Sequence, residues 1–538
     1  MESSGSMRLL LTNCLQISVR ACLGLAFLVA AVASESGSIY TSLRDQATAA
    51  YDKGSFEQAA SLLQSAIARL SDPASRDAVV LWCQLGEAHE AERKFADAQQ
   101  EYQRSLEIND RLSTPDELER AIVWNDLGTV SEKTGHFRDA ELLLKKSYWQ
   151  LESLHATTLP LTGSVLSNIG LAIANQGRYK EAQSFYDRSL ALIAQSGNEK
   201  TIQYVRALTN SALLSYDLGQ YPESLENDKK ALAIEDSLPL VAADDRATTL
   251  NNLGLTLIQL GRFAEAEPLV QQAIALRKGE PFCDRAKLAE SIANLATIER
   301  STGRFESARN HDQEALEIVS ALPDLEHHLL PTIWNNLGMI AAHEKHFKEA
   351  ENLYRKAADY WLKSEGPSSP KYAATLCNIA ALQSHRGHHK EAQETQEKAL
   401  AIRQAALGPN HPDVASSLSN VAAELFYQKK YDEALDFYRK AEAIDEQTLG
   451  QNSHEVARLW RNMGVVYVAC NQLKDAEDVY RRAVDPGQSA DASSHPDLSA
   501  WLQEYADILR KEGHFGEAEQ AQVRAVGVQV RDSIKSFH

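Results

Sequence analysis

The chain repeats itself every 42 residues, and that period constrains its fold more than any other feature. Asn252-Leu253-Gly254, followed by Gly261, Phe263, Ala266 and Ala273, returns one step later as Asn294-Leu295-Ala296, Gly303, Phe305, Ala308 and Ala315. A further step gives Asn336-Leu337-Gly338, Phe347, Ala350 and Ala357. The small residue after the leucine marks the register: Ala47, Gly86, Gly128, Gly170, Ala212, Gly254, Ala296, Gly338, Ala380, Ala422, Gly464 and Ala506. The first step is 39 residues and each later one 42, so twelve repeats run from about Ile39 to Arg524. A second small column stands twelve residues further on, alanine everywhere except Ser224. Between the columns lies an aromatic residue, replaced only by His389 and Leu473. A fixed period of this length predicts a repeat architecture, in which each repeat buries its apolar face on its neighbours.

Each repeat reads as two helices. Apolar residues recur at three- and four-residue spacing in the first, as at Trp334, Leu337 and Gly338. A polar turn with glycine at 135, 177, 219, 261 and 303 stops it. The second helix opens near the aromatic and carries both alanines on one face. Small residues are needed where helix axes approach within about 8–10 Å, and the aromatic fills the gap to the next repeat. Gly366, Gly408 and Gly450 end second helices at one offset, and Pro370, Pro412 and Pro496 open first helices, where a missing N–H costs nothing.

These columns resemble the tetratricopeptide repeat, whose ordinary unit is shorter by the eight residues that here join one hairpin to the next. The joining segment Leu407-Gly408-Pro409-Asn410-His411-Pro412-Asp413-Val414 resembles that of the 42-residue kinesin light chain class. The resemblance implies an all-α solenoid, a right-handed superhelix of helix pairs with a concave inner face. Family co-chaperones that grip a C-terminal carboxylate carry a lysine at positions held here by Thr209, Asn251, Ala293, Asn335 and Cys377. That departure speaks against a receptor for chaperone tails.

Outside the array the chain is brief. Residues 1–33 hold Arg8 and Arg20, an uncharged run from Ala21, and Ala31-Val32-Ala33, the parts of a secretory signal. The run is too short for a membrane span, which needs about 20 apolar residues, so no membrane insertion is expected once the leader is cut. Export follows, with a cytoplasmic location should the leader not function. The repeats then fill 39–484, a stretch rich in Asp, Ser, Pro and Gly at 485–499 reads as a linker, and 500–538 holds the last repeat and a polar cap. The formal charge of −19 disfavours nucleic acid as a partner. Cys83, Cys283, Cys377 and Cys470 are spread over separate repeats and read as free thiols.

One column is not explained by packing. Asn168, Asn210, Asn252, Asn294, Asn336, Asn378, Asn420 and Asn462 stand two residues before the small position. Each costs a helix interior about 0.6 kcal/mol relative to alanine, roughly 5 in all against a usual margin of about 5–15. Two roles offset that cost and are compatible. The amides bond a neighbouring helix or their own preceding turn, or they form a ladder that meets the main chain of an extended peptide. The tetratricopeptide resemblance favours the ladder, since similar asparagines bind peptide backbones in O-GlcNAc transferase. Leu213, Leu255 and Met339 flank the column as apolar pockets, and Arg458 with Arg461, three apart beside Asn462, suggests an anion clamp.

No catalytic signature accompanies the array. His343-Glu344-Lys345-His346 is one residue short of the zinc-protease pattern, and no nucleophile elbow, phosphate loop or dinucleotide glycine pattern occurs. His343, His346, His385 and His388 fall in turns where polar residues are commonplace, and no metal or cofactor is expected. The sequence therefore points to a non-catalytic scaffold for protein or peptide ligands, with a self-assembling spacer as the alternative. It leaves the oligomeric state open.

Overall fold

The computed structural model describes residues 38–156, 160–280, 283–322, 329–451, 453–484 and 498–535. The leader lies outside the described residues, as does the stretch 485–497 that holds most of the expected linker. Among the described residues there are 24 helices and no strand, paired into hairpins from Ser38–Tyr51 with Phe56–Ile67 to Leu498–Glu512 with Phe515–Lys535. The fold is an all-α solenoid. No helix described is long and apolar enough to cross a membrane. The chain divides into two compact bodies, Met1–Leu214, Asn227–Arg246 and Glu280–Cys283 in one, and Ser215–Glu226, Ala247–Gly279 and Asp284–His538 in the other.

First helices stop in the same way throughout. The N–H of His136 reaches back to the carbonyl of Ser131 at 2.8 Å, Arg262 to Leu257 at 2.8 Å, and His346 to Ala341 at 2.8 Å. This closure needs a left-handed residue just before the donor. Glycine supplies it at 135, 177, 219, 261, 303 and 387, with φ between 71° and 84°. Arg93, Lys345, Lys429 and Asn471 adopt it at 59–65°, a strain of about 1 kcal/mol each that the closing hydrogen bonds offset.

The first small column marks the helix crossing inside each hairpin. A Cβ on Gly86 would meet the Tyr102 ring at 2.7 Å, on Gly170 the Tyr186 ring at 2.8 Å, and on Gly338 the Tyr354 ring at 2.5 Å. Gly128 faces Leu144 at 2.6 Å, Gly254 faces Val270 at 2.5 Å and Gly464 faces Tyr480 at 2.3 Å. In every case the opposing residue lies sixteen positions on. The second small column closes the same joint lower down. Where serine replaces the next alanine, its hydroxyl donates to the facing main chain: Ser105 to Val79 at 2.7 Å, Ser147 to Ala121 at 2.6 Å, Ser189 to Gly163 at 2.6 Å.

Between repeats, the aromatic column does what its position predicts. In the second body Phe305 stacks on His343 at 3.6 Å between centroids, Phe347 on His385 at 6.4 Å, and His389 on Tyr427 at 4.7 Å. Each partner ends the next repeat's first helix, so two of the turn histidines serve as stacking platforms. The second body also meets itself over a long sequence distance. His411 caps its helix by accepting the Asp413 N–H on Nδ1 at 3.0 Å, which leaves Nε2–H to donate to the Asp217 carbonyl at 3.2 Å. Gly219 is packed beside it, where a Cβ would fall 2.4 Å from Pro412. Burial lowers the His411 pKa, in keeping with a neutral ring that both accepts and donates.

Gly338→Ala should lower the free energy of unfolding by about 1–3 kcal/mol. In a cycle with Tyr354→Leu, which removes the ring atoms in the way, urea denaturation should give a coupling above about 0.5 kcal/mol. Additive losses would mean that the crossing does not limit the hairpin.

Candidate functional site

The asparagine column lies on the first helices, half-buried at most positions and 7% exposed at Asn336. Its geometry is set by the repeat: the residue two before the crossing faces sideways, toward the first helix of the preceding repeat. In the first body Asn168 Nδ2 donates to Asn125 Oδ1 at 3.0 Å, and Asn210 Nδ2 to Ser167 Oγ at 3.2 Å. In the second body Asn294 donates to Asn251 Oδ1 at 3.1 Å and Asn378 to Asn335 Oδ1 at 3.5 Å, while Asn420 reaches the Cys377 thiol. Each of these bonds spans 43 residues, from the asparagine column to the column beside it one repeat earlier.

The same seam continues where asparagine does not. Asp126 occupies the column in the third repeat and lies 3.5 Å from the Cys83 thiol. Glu504 occupies it in the last, and Arg461 grips it with Nε at 2.9 Å and Nη2 at 2.6 Å. The two arginines expected as an anion clamp face acids of the chain itself. Arg461 is engaged by Glu504 and by Asn462 Oδ1 at 3.4 Å, whereas Arg458 acts on the buried Asp445, whose carboxyl burial pushes up to about 7. Leu213 in the first body, and Leu255 and Met339 in the second, are half-buried.

The partner column was not legible as such. Cys83, Asn125, Ser167, Asn251, Asn335 and Cys377 are thiol, amide or hydroxyl, Cys83 donating to Asp126, and their shared feature is only a small polar side chain at one offset. Asn251 is the most heavily used of them: 2% exposed, it accepts from Ser291 Oγ at 2.8 Å and donates to Glu290 at 3.3 Å besides receiving Asn294. Asn336 departs from the pattern because Ala293 stands opposite and offers no acceptor. Its amide turns to Asp312 Oδ1 at 3.3 Å and Thr297 Oγ1 at 3.5 Å.

Asp312 is itself unusual. It stands sixteen residues after Ala296, in the crossing slot that tyrosine, leucine or valine fills in most repeats and Asp228 in one, and is 1% exposed. One oxygen takes the Asn336 bond, and the other meets no donor among the described residues. Loss of solvent raises its pKa to about 7, against a lowering by Asn336 and by the charge of Arg300.

Donor clusters suited to a metal are sparse among the described residues. Cys83, Glu87 and Asp126 converge, as do Glu477, Glu512 and His514, each set with its donor atoms within 4.8 Å of one another. Each supplies three donors, one fewer than a closed structural zinc site uses. The four described cysteines are free thiols, as their spacing predicts.

The Asp312 carboxyl binds a proton more tightly folded than unfolded, so its burial favours the folded state below about pH 4 and that advantage fades as pH rises through 7. Asp312→Asn should therefore raise stability by roughly 2–3 kcal/mol more at pH 8 than near pH 5. Thermal melts across that range check the sign; equal effects at both pH values would mean that the carboxyl titrates normally.

Comparison with known proteins places this arrangement. The chain's likeness to solved structures includes BtubC (BKLC) from P. vanneervenii, with 22% identity over 44% of this chain and 92% of that one and a TM-score of 0.31. It also includes a Rap protein complexed with Competence and Sporulation Factor, with 13% identity over 69% of this chain and 98% of that one and a TM-score of 0.50. The second likeness is one of fold. No curated protein matches the chain. The sequence profile described as "Tetratricopeptide repeat" matches residues 77–149, 161–236, 245–321, 329–405 and 386–447, which is more than half of the chain. With the hairpins, crossings and seam already described, this chain belongs to the tetratricopeptide repeat family, whose arrays act as protein-interaction scaffolds.

Proposed function

We propose that the chain is a non-catalytic scaffold whose amide-bearing first helices bind extended polypeptide segments. The observation that carries this reading is the sideways bond itself. A primary amide has two N–H donors and two acceptor lone pairs, and one bond to the preceding repeat occupies a single donor of Asn168, Asn210, Asn294 or Asn378. The remainder of each amide is available to a ligand, and the bond holds it in one orientation beforehand, which lowers the cost of binding.

Spacing supports the same reading. Neighbouring first helices are separated by roughly the 10 Å diameter of a helix, and an extended chain advances about 3.3 Å per residue. One amide thus meets the ligand main chain about every third residue. Leu213 beside the first body's amides, and Leu255 and Met339 beside the second's, favour ligands with apolar side chains. The Rap protein complexed with Competence and Sporulation Factor gives a precedent for ligand capture by an array of related fold. The leader makes export part of the proposal, and a mature chain that begins at Ser34 on N-terminal sequencing is the expected outcome.

The triple variant Asn252→Ala, Asn294→Ala and Asn336→Ala tests the amides in the second body. Against a pool of random twelve-residue peptides, the unaltered chain should enrich a subset, and the variant should lose about tenfold or more in affinity while its helical content stays the same. Lower stability with undiminished capture would leave the amides only their part in the seam.

A further inference from the structure

The last helix, Phe515–Lys535, exposes a face that its counterparts bury or make polar. In earlier repeats the residue eight positions after the small residue that opens the second helix is buried or half-buried, and Ile274, Ala358, Leu400 and Val484 are at 9% exposure or less. The equivalent Val526 is 50% exposed. Five positions after that small residue every earlier repeat carries a polar residue, such as Lys145, Asp187, Gln271, Arg355 or Arg481. The last repeat has Val523 instead, 66% exposed, and Val530 follows at 53%. The tail read from sequence as a polar cap is therefore a helix with an apolar stripe.

Val523, Val526, Gly527 and Val530 follow the i, i+3, i+4, i+7 spacing of one helix face. The glycine is the telling member. A glycine inside a helix is unfavourable relative to alanine, yet no described atom lies within 4 Å of where its Cβ would stand. Nothing in the described packing calls for it. It leaves a notch in the middle of the stripe.

We propose that a second copy of this chain covers this face, the two last helices crossing antiparallel over Gly527. The stripe is its own complement under a two-fold axis between positions 526 and 527. Val523 then opposes Val530 of the second copy, and Val526 enters the notch at Gly527 of the second copy. Without a Cβ there, the axes approach closely. Charge favours the same orientation: Glu517 and Glu519 stand exposed early in the helix, and a parallel crossing would set them against their own copies, whereas an antiparallel one does not. Such an isologous contact closes at a dimer. Its length is that of 21 residues, about 31 Å of helix. One helix pair of that length buries less than the roughly 1,600 Å² of a standard interface, so the dimer is reversible and micromolar.

Sedimentation of the full chain from about 1 to about 200 μM tests this directly. The weight-average mass should rise toward twice the monomer's. Val526→Asp, at an exposed site, should weaken association about tenfold or more with unchanged circular dichroism. Gly527→Leu should do the same although leucine favours the helix, which separates a blocked notch from a damaged fold. A mixture of Val523→Cys and Val530→Cys chains should cross-link on oxidation faster than the unaltered chain, and Val523→Cys alone should not. A monomer at every concentration, or both surface variants associating as the unaltered chain does, would overturn the proposal. Faster cross-linking of Val523→Cys alone would overturn the antiparallel crossing.

Discussion

Where the two helices of a hairpin cross, the first has no room for a side chain, and the rest of the array follows from that exclusion. The volume missing on one helix is returned by the other. Opposite glycine stand Tyr102, Leu144, Tyr186, Val270, Tyr354 and Tyr480. Opposite Ala296 and Ala380 stand Asp312 and Gln396, which are less bulky than tyrosine. Core pairs tolerate exchange best when their summed volume is kept, and Asp312 and Gln396 follow that trend, whereas Val270 opposite Gly254 and Tyr438 opposite Ala422 do not.

A constant hairpin thickness makes a constant step between repeats, and the seam depends on that step. An asparagine amide extends only a few ångströms from its backbone. It finds its acceptor 43 residues back in repeat after repeat because the first helices stand at the same offset. The chemistry may vary while the step does not: amide to amide at Asn168 and Asn125, amide to hydroxyl at Asn210 and Ser167, guanidinium to carboxylate at Arg461 and Glu504. The helix-propensity cost of the column is thus met at least in part within the protein. Ligand binding is not required to explain it.

The period, the hairpins, the crossing column and the aromatic stacking were all legible in the sequence, because each is a residue type recurring at one offset. The partner column was not, since Cys83, Asn125, Ser167 and Arg461 share position but not chemistry, and Cys83 and Arg461 donate where the others accept. Glu504 and Asp126 were missed for the opposite reason: a search for asparagine passes over a carboxylate at the same place. The pairing expected of Arg458 with Arg461 gave no sign of Glu504, because helical spacing shows which residues share a face, not which acid on the next repeat reaches them. The apolar last helix was hidden by its neighbours. Gln522, Arg524 and Gln529 make the stretch read as polar, and only its helical phase sorts Val523, Val526 and Val530 onto one side.

The amide seam and the terminal stripe rest on different physics, and so they can act together without competing. On the proposed function, amides would read a main chain, which every polypeptide has, so the seam would select for extension more than for sequence. On the proposed pairing, the stripe would read shape: a valine row and a notch would accept a surface with the reverse relief, as the same helix in a second copy offers. Pairing through the stripe would leave the first helices of both copies open and place two ligand-binding faces in one particle. Two weak sites so joined hold a ligand that spans them more tightly than either alone, by an effective concentration set by the span between them. A long partner would gain from that and a short peptide would not. The terminal pairing would then favour partners with extended length, a discrimination that the amides alone do not supply.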